Sequence, residues 1–326
     1  MINERKIKNI QLIVHIICIL VAIITVFCVV SYKKDPPEQS AEAMLDYQEP
    51  MMQGLRVDLD IILQDEQCAG FKSWLLKGVA LKEVRAQFGG KKLSILGDSI
   101  STYNGWIPDG YAQFYPIDGV VENVNETWWK MFMDDTGMQF CANSSSAGST
   151  CVGDSLSADD PKFACSNYRI DDLVGKKGDY PDIIIVYMGT NDLLIGTPIG
   201  ENDGTQSVEE GTIETFSDAY SLILDKLVSQ YPGAQILCCT LTQVGDWGVT
   251  KMFEPFVNNL NLTAKDYSRQ IEIIADNKGF DVIDLYNCGI TADNMHKYVI
   301  DGVHLNTKGM EQVRDAAEEA IIALAQ

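Results

Sequence analysis

From residue 91 onward, short apolar runs alternate with longer amphipathic stretches. The runs are KLSIL (92–96), MQFCA (138–142), DIIIVYM (182–188), AQILCCTL (234–241) and FDVIDLY (280–286). Each has strand length, and a nearly unbroken apolar run reads as a strand covered on both faces. Between them, residues 126–137, 212–231 and 254–278 carry helical periodicity, and TKGMEQVRDAAEEAIIALA closes the chain as a last helix. Strands that alternate with helices predict a five-stranded, mostly parallel sheet with helices on both faces, a three-layer α/β/α sandwich over residues 91–326.

Upstream the pattern changes. Residues 10–30, IQLIVHIICILVAIITVFCVV, are almost wholly apolar. That is the length of a membrane-spanning helix, about 20 residues, and no small-residue cleavage site follows it. The sequence therefore predicts a single-pass signal anchor at 10–30, with residues 1–9 as a cytoplasmic tail. Arg5, Lys6 and Lys8 before the span outnumber Lys33 and Lys34 after it, which favours placing the rest of the chain on the extracytoplasmic side of the cell membrane. Residues 31–56, rich in Pro, Glu and Gln, read as a tether. Residues 57–90 form a helical extension. Within it Phe71, Trp74, Leu75, Val79 and Val84 recur at helical spacing, and Gly89-Gly90 stop the helix.

Charge removes one class of partner. The net charge is -21; binding to nucleic acid needs a basic surface, so none is expected. The first 34 residues hold five basic residues and one acid, so the remainder is more acidic still. The nine cysteines are irregularly spaced and show no disulfide framework, although Cys151 and Cys165 could close a short loop. Cys238 and Cys239 read as small buried hydrophobes. No C-x-x-C or H-x-x-x-H spacing points to zinc, and the sequence implies no cofactor or metal.

The chemistry starts where the first run breaks at Gly97-Asp98-Ser99. Gly, Asp and Ser are ordinary turn residues, but open α/β sheets bind ligands at the carboxyl ends of their strands, so Ser99 is equally a candidate nucleophile. It needs a base, an orienting group and an oxyanion hole. Of three histidines, His15 is in the apolar span. His296 lies in a short helix-like stretch after Asp293, and His304 in a glycine-containing loop after Asp301. The loop context favours His304 as base with Asp301 orienting it. Two further strand ends supply donors: Asn191 in GTND, and Gly148 after a serine run. Asp98 and Asp192 read as residues that support their turns. Ser, Gly, Asn and His thus fall at the strand ends in chain order.

These residues carry a resemblance. GDSIS, Gly148 in NSSSAG, GTND and DGVHLN look like the four blocks of the SGNH hydrolases, also called the GDSL esterase/lipase family. The resemblance covers about residues 91–326 and implies a flavodoxin-like fold and a serine esterase. Its catalytic residues would be Ser99, His304 and Asp301, and its oxyanion donors the Ser99 and Gly148 backbone N–H groups and the Asn191 amide. Ile100 stands where the family usually has leucine. After the nucleophile comes TYNGWIPDGYAQFYP, with Trp106 and Tyr111 as candidate substrate-binding rings for a sugar. Small extracytoplasmic members are often carbohydrate O-acetylesterases, so the expected substrate is an acylated carbohydrate or another small ester. A membrane-tethered lipase or lysophospholipase, or an acyltransferase, would use the same residues.

Overall fold

The computed structural model describes residues 69–246 and 252–326. The expected tail, span and tether, and the first part of the helical extension, lie outside the described residues. Among the described residues, no helix is long and apolar enough to cross a membrane.

Each apolar run forms a strand: β1 (Lys92–Gly97), β2 (Gln139–Ser145), β4 (Ile183–Tyr187), β6 (Gln235–Cys239) and β7 (Asp281–Ile283). They make one parallel sheet in the order β2-β1-β4-β6-β7. A two-stranded antiparallel ribbon, β3 (Gly153–Asp154) with β5 (Thr212–Ile213), lies outside it. The helices are α1 (Ala69–Phe88), α2 (Trp128–Thr136), α3 (Asn167–Asp171), α4 (Thr190–Ile195), α5 (Phe216–Gln230), α6 (Ala264–Lys278) and α7 (Thr307–Leu324).

The alternating side chains of a strand explain the three layers. In β4, Ile184 and Val186 join the core formed with Ile170 and Leu173, Phe216 to Leu227 of α5, and Ile271 and Ile274 of α6. Ile183, Ile185 and Tyr187 face the opposite way, toward Val84 and Phe88 of α1, Trp128 to Met133 of α2, and Met310 to Ile321 of α7. Both faces of the strand are buried, as its unbroken apolar run predicts. Cys238 and Cys239 of β6 fill one core each.

Two expectations are corrected. The helix predicted over 254–278 begins only at Ala264, where Thr263 and Asp266 form a capping box. Before it, the Asn258 carboxamide oxygen takes the N–H groups of Leu260 and Leu262, and Asn261 is left-handed with φ 64. Side-chain bonds of this kind compete with helix formation. In α1, Val84 and Phe88 are buried, whereas Val79, predicted on the packed face, is 57% exposed. Lys77 instead docks this helix, donating to Asp315 and pairing with Glu318 of α7.

Candidate active site

The sheet order sends the chain from β1 outward to β2 and then back across β1 to β4. That reversal is the switch point at which open α/β sheets place their ligands, at the carboxyl ends of β1 and its neighbours. Three turns meet there. β1 ends at Gly97 and passes into a single 3-10 turn, Ser99–Ser101, capped by Asp98, whose carboxylate accepts the Ile100 N–H at 3.0 Å. Gly97 admits no side chain: a Cβ there would stand 2.6 Å from Ser145 Oγ. Burial pushes the Asp98 carboxyl up, against the pull of the Ile100 N–H.

Ser99 Oγ lies 2.8 Å from His304 Nε2, and His304 Nδ1 lies 2.6 Å from Asp301 Oδ2. The other Asp301 oxygen accepts the backbone N–H groups of Val303 and His304, at 3.0 and 2.7 Å. Burial pushes the Asp301 carboxyl up, but the hydrogen bonds from the His304 ring and backbone outweigh it and hold the group below the usual carboxylate range. Ser99 and His304 are almost closed to solvent. His296 lies exposed on another 3-10 turn, Met295–Lys297, with its ring near Phe253. The structure brings His304, not His296, to Ser99.

Gly148 follows β2 in a left-handed conformation, φ 75, with open space where a Cβ would be. Neither its N–H nor that of Ser99 has a protein acceptor among the described residues. Asn191 heads α4 and donates one amide hydrogen to the Ser149 carbonyl at 2.9 Å, leaving a second hydrogen free. Asp192 beside it is fully buried and accepts the N–H groups of Cys151 and Val152, at 2.8 and 3.3 Å. It straps the Asn191 turn to the chain that follows Gly148. Burial pushes its carboxyl up to about 7, against those two N–H groups.

The two rings singled out for substrate are engaged elsewhere. Trp106 packs edge-on against Phe140, 5.0 Å between centroids, and across Trp129. The Tyr111 hydroxyl donates to Asp172 and its face covers the Arg169 guanidinium at 5.5 Å. Phe114 of the same aromatic loop lies against the His304 ring instead. Cys151 and Cys165 are buried free thiols. Among the described residues, no His, Cys, Asp and Glu side chains are grouped as metal ligands.

Arg169 is the residue that sequence reading missed. It is fully buried, and its Nη2 donates to the carbonyls of Gly97 and Ser144 at 2.7 and 2.6 Å, clamping the ends of β1 and β2 together. Nη1 reaches the Pro161 carbonyl at 2.6 Å, and burial pushes the guanidinium down to about 10. A single arginine in NYRIDD gives no local sign of this, because its partners are backbone carbonyls from distant strands.

A family model described as GDSL-like lipase/acylhydrolase matches residues 91–321. Among solved structures, a protein described as a GDSL-like lipase from Bacteroides uniformis is similar at 27% identity and TM-score 0.53, over 71% of this chain and 95% of that one. Another, from Bacteroides ovatus, is similar in fold at 24% identity and TM-score 0.52, over 71% of this chain and 97% of that one. No curated protein matches the chain.

Proposed function

The chain belongs to the GDSL-like lipase/acylhydrolase family, a carboxylic ester hydrolase, and on that premise we propose that it is a serine esterase for short-chain esters working through Ser99, His304 and Asp301. What carries the reading is the unbroken line of hydrogen bonds from Ser99 Oγ through both ring nitrogens of His304 to Asp301. Asp301 accepts the hydrogen bond from Nδ1–H and stays ionised, which leaves Nε2 as the acceptor that removes the proton of Ser99 Oγ. Oγ attacks the ester carbonyl. The oxyanion that forms is met by the unengaged N–H groups of Ser99 and Gly148 and by the free Asn191 amide hydrogen. His304 then gives its proton to the leaving alcohol, and an acyl-enzyme remains on Ser99. Water repeats the sequence: His304 takes its proton, hydroxyl attacks the acyl carbon, and Ser99 recovers the proton as the acid departs.

An acetyl-sized group suits this reading, because Ser99 and His304 are nearly closed to solvent. Acylated carbohydrate remains the proposed alcohol half on the strength of the aromatic loop, but with contacts other than Trp106 and Tyr111, whose rings are spent on packing. The same proposal places the domain outside the membrane, anchored by residues 10–30. Protease treatment of intact cells tests that part, and a domain protected inside overturns it.

The experiment for the activity compares kcat/KM on activated esters from acetate to decanoate. Each methylene that found an apolar groove would add about 0.8 kcal/mol, so efficiency rising toward decanoate overturns the short-chain reading in favour of a lipase. On the best ester, Ser99→Ala and His304→Ala are expected to lose several orders of magnitude. Asn191→Ala should lose about 10²–10³-fold, and His296→Ala should stay near wild type.

A further inference from the structure

Phe114 lies flat on the imidazole of His304, with ring centroids 3.4 Å apart and planes 11° from parallel. Two neutral rings disfavour that arrangement, since their faces carry the same sign of charge; they prefer offset or edge-on contacts with centroids about 4.5–7 Å apart. Neighbouring aromatic pairs follow that preference. Phe114 with Tyr115, and Trp106 with Phe140, both meet edge-on at 5.0 Å. Face-on contact becomes attractive when one partner is a cation. His304 becomes a cation when it takes the Ser99 proton.

The ring is held there by bonds to both sides of the site. The Phe114 N–H donates to Thr102 Oγ1 at 2.9 Å, and that hydroxyl donates to the Ser99 carbonyl at 2.9 Å. The next residue, Tyr115, donates its hydroxyl to the Leu305 carbonyl at 2.7 Å, one position beyond His304. The aromatic loop therefore ties the nucleophile's turn to the base's loop, and Phe114 is the point at which it touches the base.

We propose that Phe114 is a positioning residue whose π face stabilises His304 in its protonated form, so that it favours the proton-transfer transition states over the resting enzyme. The proposal rests on His304 being the base. Acylation and deacylation both pass through the imidazolium, so losing the π face slows both steps together. In that case kcat falls while KM, which depends on their ratio, stays where it was.

The test uses two variants that keep apolar bulk without a π face, Phe114→Leu and Phe114→Met, and two that keep the face, Phe114→Tyr and Phe114→Trp. Leu and Met are expected to lose on the order of tenfold in kcat on an acetate ester, with KM within about twofold of wild type, while Tyr and Trp retain most of the rate. Proton NMR of the resting enzyme supplies a readout independent of turnover. The His304 ring protons, shielded by the stacked phenyl, should move downfield in the Leu and Met variants alone. Wild-type kcat in Leu and Met, or equal losses in all four, overturns the proposal. Activity surviving in His304→Ala overturns the base assignment instead, and the ring-proton shifts then still report whether the stack exists.

Discussion

At the end of β1, Ser99 stands on a turn held from distant parts of the chain. Trp128 and Trp129 of α2 donate their indole N–H groups to the Ser101 hydroxyl and carbonyl, Asn143 of β2 donates to the same carbonyl, and Arg169 grips the carbonyl of Gly97. His304 stands on a turn that is largely its own work. Asp301 orients the ring with one oxygen and with the other closes the backbone between itself and His304. The proposed nucleophile is thus held mainly by bonds from distant elements, whereas the bonds that orient the His304 ring come chiefly from Asp301 in the same four-residue segment. Damage should divide accordingly: changes in the local segment fall on rate, and changes around the nucleophile fall on stability as well.

The largest expected effect lies on the local side. In Asp301→Asn the amide donates to Nδ1, which forces the ring proton onto Nε2 and removes the acceptor that Ser99 needs. Loss of about 10⁴-fold in kcat is expected, with the free energy of urea unfolding lowered by less than about 1 kcal/mol because one oxygen still closes the turn. Comparable losses of rate and stability would break the comparison. On the distant side, Arg169→Met leaves the carbonyls of Gly97, Ser144 and Pro161 without their charged donor. A cost of about 3 kcal/mol or more in urea unfolding is expected, together with a fall in rate as the ends of β1 and β2 part. Unchanged stability would show that the clamp is dispensable.

A third prediction sharpens the contrast through pH. Asp301 has its carboxyl lowered, so its contribution to stability is present above the unfolded pKa and is lost as pH falls through the folded one. Asp192 has its carboxyl raised to about 7, so its contribution is fully present below the unfolded value near 3.8 and is lost as pH rises through about 7. Relative to wild type, Asp192→Asn should therefore gain in thermal midpoint as pH rises from about 4 to about 7. A difference curve flat over that window would mean that Asp192 folds already ionised.

This division also decided what the sequence made legible. All five strands were readable, because a parallel strand buried on both faces must be apolar throughout. The Asp301–His304 spacing was readable because its geometry is local. Ser99, Gly148 and Asn191 could be assigned to strand ends because each lies within four residues of one. Arg169 was not legible, since a buried cation satisfied by carbonyls looks the same in sequence as an exposed one. The aromatic loop was flagged as a whole, yet which ring would meet the site depended on Thr102 and Leu305, bonds that no local pattern carries. Residues 254–263 misled because their apolar spacing is helical while Asn258 caps its own neighbours.

The paired indoles on Ser101 have a practical consequence. Trp128 and Trp129 are fully buried and bonded to Ser101, two residues from Ser99. A Ser99 that carries an acyl group and one that is free present different surroundings to the same two fluorophores. On the proposed mechanism, acylation of Ser99 is expected to change tryptophan emission in stopped flow with an unlabelled ester, and an unchanged signal through turnover would count against that consequence.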